Sequence, residues 1–261
     1  MDLSKILSQA NKVVKEAGDF IKKESANFTI EDAELKGFND LVSYVDKEAE
    51  KILVEGCGDI LPEAGFIAEE GTSDKKGKSF NWIIDPLDGT TNFTHGLPVY
   101  SISVALQQEN DIVLGIVYEI NRGENFYAIK GEQAKMNGEP IKVSEVDQLN
   151  KSLLATGFPY YQFDEMKKYL RVLDDFMQSS HGLRRMGSAA VDLAYVACGR
   201  FEGFFEYNLN AWDVAAGAFI VKQAGGQVSD FGGTDHYLFG REIVASGKIH
   251  QPMLNIIQKH W

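Results

Sequence analysis

Apolar residues recur every three or four positions through residues 2–24, a spacing that places them on one face of a helix. This stripe comprises Leu3, Ile6, Leu7, Ala10, Val13, Val14, Ala17, Phe20 and Ile21. A second helical pattern follows Asn39 and Asp40, and we expect one of these two residues to cap it. Its apolar side carries Leu41, Val45, Ala49, Ile52 and Leu53. The first part of the chain therefore predicts two amphipathic helices.

The hydrophobic period changes between residues 65 and 138, where short β-rich stretches alternate with Gly, Asn and Asp. We predict strands at residues 66–68, 82–84, 100–107, 111–120 and 125–130. Only a few residues, around Asn110 and around Arg122, separate consecutive strands. Connections this short join antiparallel strands, so at least part of the predicted sheet is antiparallel.

Strands and helices alternate in the remainder of the chain, which favours α/β layering. The predicted strands lie at residues 153–156, near Met186 and at 203–206, and the helices at 164–177, after Ser188 and at 212–224. No linker or repeat divides the sequence. We predict one compact α/β (α+β) unit with a soft division between residues 1–148, rich in antiparallel sheet, and residues 149–261.

Charge and cysteine content narrow the classes of partner. The formal net charge of −12 disfavours nucleic acid and anionic lipid, which require clustered Lys and Arg. Cys57 and Cys198 are the only cysteines, too few for a disulfide framework. The amphipathic N-terminus lacks the apolar stretch of a signal peptide, and no apolar run is long enough to span a membrane. We expect a soluble, cytoplasmic protein that binds metal cations and small molecules.

The most informative segment is residues 85–91, which read DPLDGTT directly after an apolar strand. Mg²⁺ prefers oxygen ligands, and Asp85, the Leu87 carbonyl and Asp88 could supply three of them from one tight turn. The amides of Gly89 and Thr90 would then face a phosphate. The alternative is a simple turn, since Asp, Pro and Gly dominate turns for conformational reasons.

Two further acidic positions favour the metal hypothesis. Glu69 and Glu70 follow a short apolar strand, and carboxylates at strand ends are typical of sites in layered α/β proteins. Asp213 follows Trp212 at the start of a predicted helix, where helix capping is the alternative explanation.

These motifs resemble those of the inositol monophosphatase family. The first family motif is similar to DPLDGTT at residues 85–91, and the second to WDVAAG at residues 212–217. The similarity extends to Asp46, Glu69, Gly187, Ser188, Ala189 and Glu206, so it covers nearly the whole chain in order. The resemblance implies a layered αβαβα sandwich, a homodimer and an enzyme that hydrolyses phosphoric monoesters.

The resemblance also implies a ligand set for two to three Mg²⁺ ions. Glu69, Asp85 and the Leu87 carbonyl would hold one ion. Asp85, Asp88 and Asp213 would hold a second, and Glu69 with water molecules a weaker third. Inhibition by lithium would follow, because a small monovalent ion could fill a magnesium position with half the charge.

Catalytic roles carried over from the family fall on three residues. Thr90 and Glu69 would orient the attacking water and take its proton. Asp46 would stand behind the metals as a supporting acid, and an exposed helix face is the alternative for this residue. The motif does not by itself exclude an aspartyl-phosphate route.

Substrate binding would involve the phosphate and the alcohol separately. Gly89, Thr90 and Asp213 would lie near the phosphate. Gly187, Ser188 and Ala189 would line the polyol side, although Ser188 is also a natural helix cap. Glu206 would accept hydrogen bonds from substrate hydroxyls, with an exposed strand-end carboxylate as the alternative.

The expected activity is hydrolysis of inositol monophosphate or another small polyol or sugar phosphate by metal-activated water. One alternative is a related phosphatase acting on fructose 1,6-bisphosphate, a nucleotide 3′-phosphate or histidinol phosphate. Another is a regulatory protein that binds the transcription machinery. Retention of the acidic residues favours an active enzyme, and a surface role could coexist with it.

Overall fold

The computed structural model describes residues 1–29, 33–37, 40–159 and 163–261, with the backbone alone for residues 33–37 and 40–42. The helices are α1 (Leu3–Ser25), α2 (Tyr44–Ile60), α3 (Thr90–Thr94), α4 (Met166–Ser179), α5 (Ala189–Ala197), α6 (Ala211–Gln223), α7 (Tyr237–Gly240) and α8 (His250–Gln258). The strands are β1 (Ala33–Gly37), β2 (Asp40–Ser43), β3 (Gly65–Ala68), β4 (Phe80–Asp88), β5 (Ser101–Gln108), β6 (Asp111–Glu119), β7 (Glu124–Ile129), β8 (Lys135–Met136), β9 (Glu139–Pro140), β10 (Leu153–Thr156), β11 (Gly182–Arg184), β12 (Gly203–Tyr207), β13 (Gln227–Ser229) and β14 (Glu242–Ser246).

Five layers build the molecule. Helices α1 and α2 cover one face of a seven-stranded sheet of order β3-β4-β5-β6-β7-β8-β9. Helices α5 and α6 fill the space between that sheet and a five-stranded sheet of order β11-β10-β12-β14-β13. Helices α4 and α8 pack on the outer side of the second sheet. The predicted αβαβα sandwich is therefore confirmed.

The first sheet is antiparallel from β4 to β9, and the prediction from its short connections is confirmed. Strand β3 joins it in parallel with β4, so both strands end at the same edge of the sheet. In the second sheet, β10 is parallel to β11 and to β12. The acidic residues predicted at strand ends follow β3, terminate β4 and lie on β12.

The predicted cap of the second helix was wrong. Asp40 lies in β2, and Asn39 falls outside the described residues. Helix α2 begins instead after Ser43, whose hydroxyl accepts a hydrogen bond from the Val45 amide at 3.1 Å. The Asp46 carboxylate reaches back to accept from the Ser43 amide at 2.8 Å. Such a reciprocal cap stabilises the helix start, and it also fixes the direction of Asp46.

Helix α6 is buried almost all round because it lies between the two sheets. Gly115 on β6 lies directly against this helix. A Cβ atom at Gly115 would lie 2.9 Å from the Ala216 carbonyl oxygen and 3.2 Å from the Ala216 Cα. The Ser103 hydroxyl donates a hydrogen bond to the Trp212 carbonyl at 2.9 Å. These contacts set how close the start of α6 lies to the sheet.

Several elements went unpredicted. The hydrophobic pattern did not indicate β13, β14, α7 or α8, and the helix predicted at residues 164–177 begins at Met166 and ends at Ser179.

The division between residues 1–148 and 149–261 stays a prediction. Within the described ranges, no helix combines the length and apolarity needed to cross a membrane.

We predict that Gly115→Ala destabilises the fold by about 1–3 kcal/mol, the range typical of overpacking a filled core. The added methyl group must displace the backbone of α6 rather than a flexible side chain. Urea denaturation followed by circular dichroism measures the change. Gly58→Ala is the matched control, because its Cβ would meet only the Phe66 ring at 3.7 Å. Inside α2 that change removes backbone freedom from the unfolded chain and should stabilise slightly. Equal stability of the two variants would contradict the packing argument.

Candidate functional site

The ends of seven elements converge where the two sheets face each other. Helices α2, α3, α5 and α6 point their N-termini towards this region, and strands β3, β4 and β12 end there. The structure thereby brings together candidates that are widely separated in the chain, among them Asp88, Ser188, Glu206 and Asp213, which line one cleft of about 140 Å³.

An irregularity in β4 aims Asp85 and Asp88 into the site. Asp85 pairs with Ser103 and Asp88 with Ser101, so β4 has one residue more than β5 between these two pairs. Residues three apart on a regular strand point to opposite faces, but an extra residue restores a shared face. The tight turn predicted here was wrong, because both residues lie within the end of the strand.

Asp85, Asp88 and Asp213 form the acidic centre of the site. One carboxylate oxygen from each lies within 4.8 Å of the others. Each carboxylate is also held by the protein: Asp85 Oδ1 accepts from the Leu87 amide at 3.0 Å, and Asp213 Oδ2 accepts from the Asn210 amide at 2.6 Å. Since α6 begins at Ala211, Asp213 sits in its first turn, and its capping contact is compatible with metal binding.

Asp88 ties this centre to α5. Its Oδ2 accepts hydrogen bonds from the Ser188 hydroxyl at 2.6 Å and from the Ala190 amide at 2.7 Å. Ser188 also caps α5 by accepting from the Val191 amide at 3.3 Å. One hydroxyl therefore both starts the helix and orients an acidic ligand candidate.

Burial and like charges make this cluster costly without a cation. Burial and the charges of Glu69, Asp88 and Asp213 raise the pKa of Asp85 well above its ordinary value. Burial raises the pKa of Asp88, although Ser188 and backbone amides oppose the shift. Burial and the neighbouring Asp88 raise the pKa of Asp213 to about 7. Oxygen ligands in this arrangement fit a hard divalent cation such as Mg²⁺.

Glu69 lies beside the cluster on the loop that follows β3, and it interacts with the Asp85 carboxyl. The buried Glu50 holds this loop, because its two carboxylate oxygens accept from the Glu70 and Thr72 amides, each at 2.7 Å. The Glu69 amide donates to the Ile84 carbonyl at 3.2 Å. Glu50 was missed by the sequence analysis, although an acidic residue on the buried face of α2 is the signal that could have found it.

Thr90 and Asp46 form a hydrogen-bonded pair at the start of α3. The Thr90 hydroxyl lies 2.9 Å from Asp46 Oδ1 and 3.0 Å from the Leu87 carbonyl oxygen. The other oxygen of Asp46 accepts from the Ser43 amide and hydroxyl. Burial raises the pKa of Asp46, and these hydrogen bonds oppose the shift. Asp46 is 1% exposed, which rules out the exposed-face alternative.

Two glycines, Gly89 and Gly187, allow the start of α3 to lie close to the segment before α5. Gly89 has φ of +101°, and a Cβ there would lie 3.0 Å from the Val99 carbonyl oxygen and 3.2 Å from that of Gly187. The Asn92 side-chain amide donates to the carbonyls of Val99 and Met186 at 2.7 and 2.8 Å. Asn92 thus links α3 to the segment before α5. The sequence analysis did not single out this residue.

Glu206 lines the cleft from near the end of β12. Burial raises its pKa to about 8, and the nearby Arg185 opposes that shift. Gly157, just beyond β10, makes room for it, since a Cβ at Gly157 would lie 2.2 Å from both Glu206 carboxylate oxygens. The cleft is lined by Asp88, Thr156, Gly157, Arg185, Gly187, Ser188, Ala189, Asp192, Glu206, Leu209 and Asp213.

Two charged residues of this lining were not among the candidate site residues. Arg185 lines the cleft and faces its carboxylates. Asp192 received no attention, although it is the one charged residue in the apolar sequence of α5. A lone carboxylate in an otherwise apolar helix is a usable sequence signal.

Comparison with known sequences gives a match over almost the full length. A model of the inositol monophosphatase family matches residues 2–261. A Pasteurella multocida relative named Nus factor SuhB is 39% identical over 258 residues, which cover 98% of this chain and 97% of the relative.

Solved structures agree with the fold. The extragenic suppressor protein suhB of Bartonella henselae superposes with a TM-score of 0.91 at 35% identity, covering 100% of both chains. An inositol monophosphatase from Anabaena superposes with a TM-score of 0.87 at 31% identity, covering 100% of this chain and 98% of the other.

We predict that Mg²⁺ raises the melting temperature more at pH 8 than at pH 6. The raised pKa values mean that the folded, metal-free protein binds protons more tightly than the unfolded chain. Its free energy of unfolding therefore falls as pH rises from about 4, the ordinary value for Asp, through the Asp213 value of about 7. A cation that replaces those protons restores the lost stability. The gain in melting temperature on adding Mg²⁺ therefore grows with pH.

Thermal unfolding in EDTA and in excess MgCl₂ measures this difference. Asp213→Asn should reduce both the gain and its pH dependence, whereas the exposed Asp147→Asn should leave them as in the wild type. A magnesium-induced gain that is identical at the two pH values would contradict the assignment.

Proposed function

Because the chain belongs to the inositol monophosphatase family, we propose that it is a Mg²⁺-dependent phosphatase that hydrolyses inositol monophosphate or a similar polyol or sugar phosphate. The observation that carries the proposal is the triad of the buried Asp85 with the half-buried Asp88 and Asp213, in which one carboxylate oxygen of each residue lies within 4.8 Å of the others. No arrangement of this kind is needed for folding, since it costs free energy unless a cation compensates it.

The donors suit magnesium. Asp85, Asp88 and Asp213 would hold two to three ions together with Glu69 and the Leu87 carbonyl oxygen, all of them hard oxygen ligands. Bound Mg²⁺ supplies positive charge that offsets the phosphate dianion, lowers the pKa of water and stabilises the leaving alkoxide. The Leu87 carbonyl, which also lies 3.0 Å from the Thr90 hydroxyl, has a second lone pair for this purpose.

Proton transfer falls to the residues at the start of α3. When the Thr90 hydroxyl donates to Asp46 at 2.9 Å, its lone pairs accept a hydrogen bond from an attacking water. Asp46, held by Ser43 on its other oxygen, is oriented to receive the proton that Thr90 passes on. Glu69 takes the same role from the other side, as a general base beside Asp85.

Recognition of the substrate divides along the cleft. The Gly89 and Thr90 amides and Asp213 would lie on the phosphate side. Gly187, Ser188 and Ala189 would line the alcohol side, where Glu206 accepts hydrogen bonds from substrate hydroxyls. We also propose that lithium inhibits the phosphatase activity and that the protein assembles as a homodimer.

A second function is favoured by the name of a relative. The Pasteurella multocida protein that is 39% identical over 258 residues is named Nus factor SuhB. We infer that this chain also binds a component of the transcription machinery through its surface. The net charge of −12 favours a basic protein surface over RNA or DNA as the direct partner.

We predict that wild-type protein releases phosphate from inositol 1-phosphate faster than from fructose 1,6-bisphosphate, adenosine 3′,5′-bisphosphate or histidinol phosphate. EDTA should abolish the reaction, Mg²⁺ should restore it and lithium should inhibit it. Asp88→Asn should fold yet lose at least about a hundredfold in kcat, because the triad loses one of its shared ligands. Asp147→Asn is the exposed control. Activity that survives EDTA, or full turnover by Asp88→Asn, would contradict the proposal.

For the second function, we predict that immobilised wild-type and Asp88→Asn proteins retain purified RNA polymerase elongation complexes equally. Asp88 lies inside the cleft and is hydrogen-bonded to Ser188 and Ala190, so its substitution leaves the surface outside the cleft unchanged. The readout is polymerase eluted from each matrix against a matrix carrying no protein. Absence of retention by both proteins would contradict the transcription proposal without affecting the phosphatase proposal.

A further inference from the structure

Asp192 is a buried carboxylate that the chemistry above does not use. It lies in the first turn of α5, is 1% exposed, and is surrounded in sequence by apolar residues. Within the described part of the chain, its Oδ1 atom has no hydrogen-bond partner. The helix cap is already supplied by Ser188, which accepts from the Val191 amide at 3.3 Å. Capping therefore does not account for Asp192.

Leaving a buried carboxylate oxygen without a donor costs free energy. The cost is increased by nearby like charges, because burial together with Glu206 and Asp88 raises the pKa of Asp192 well above its ordinary value. Arg185 is the cation that partly offsets them. An Asn or an apolar residue would remove the charge at the same position in the helix. Folding alone thus gives no reason for Asp192.

The position of Asp192 gives a reason. It lines the same cleft as Glu206, Gly187 and Ala189, on the side assigned to the alcohol. Glu206 projects from the end of β12 and Asp192 from the start of α5, so the two carboxylates approach the cleft from different elements. Two separate acceptors suit a ligand with two separate donors.

We infer that Asp192 is a specificity-determining residue that binds a second hydroxyl of the substrate, beside the hydroxyl bound by Glu206. This inference rests on the proposed phosphatase function and narrows its substrate class to phosphate esters of alcohols with at least two further hydroxyls. A substrate hydroxyl donates to the edge of the Asp192 carboxylate that lines the cleft. Arg185 balances the charge of the carboxylate pair so that a neutral polyol is accommodated.

The test compares kcat/KM for inositol 1-phosphate with kcat/KM for p-nitrophenyl phosphate, which has no hydroxyl donors on its ring. Asp192→Asn keeps the shape but removes the charged acceptor, and we expect the ratio to fall about tenfold. Glu206→Gln should lower the ratio similarly. The double variant should lose less than the product of the two single effects, because both residues bind the same polyol. Asp147→Asn controls for the loss of a negative charge.

Thermal unfolding separates recognition from a structural role. Asp192→Asn should melt at the same temperature as the wild type or higher, since an amide costs less to bury among carboxylates than a charge. A lower melting temperature with equal losses on both substrates would overturn the inference in favour of a structural role. A ratio unchanged in Asp192→Asn but lowered in Glu206→Gln would overturn it while leaving the proposed function intact. Wild-type protein inactive on both substrates in Mg²⁺ would remove the proposed function and this inference together.

Discussion

Asp85, Asp88 and Asp213 place three carboxylates within 4.8 Å of one another in a buried corner between two sheets. Their mutual repulsion in a medium of low dielectric constant opposes folding, so the surrounding structure has to hold them and protons or a cation have to neutralise them. Each is held by a separate element: an amide within β4, the first turn of α5, and the residue before α6. The arrangement of the layers follows from the need to bring these elements to one place.

Local backbone geometry helps to bring the three carboxylates together. The irregularity in β4 turns Asp85 and Asp88 to the same side, and Gly89, with φ of +101°, lets the chain enter α3 immediately afterwards. Gly115 allows α6, which carries Asp213, to pack closely against the sheet. These features depend on close backbone contacts. A small added side chain, even far from the acidic residues, therefore alters the geometry of the site.

The two ends of the cleft differ in how their charges are balanced. Where phosphate is proposed to bind, acidic groups surround a position suited to metal ions, and Thr90 and Asp46 form a hydrogen-bonded pair. Where the alcohol is proposed to bind, Glu206 and Asp192 both line the cleft, with Arg185 as a nearby counter-charge. The first arrangement suits catalysis on any phosphate monoester, and the second suits selection among alcohols. Under the proposed function, reactivity and recognition thus fall to different residues of one site.

The amino-acid sequence alone predicted the layered class, the antiparallel sheet and the acidic motifs, because these depend on local periodicity and spacing within about ten residues. It misplaced the start of α2, where Ser43 and Asp46 cap each other, because several polar residues competed for that role. Only the tertiary structure decided which carboxylates meet and that Asp192, on an apolar helix, faces the same cleft as Glu206. Such distances join residues far apart in the chain, and they are set by packing across the two sheets rather than by any local pattern.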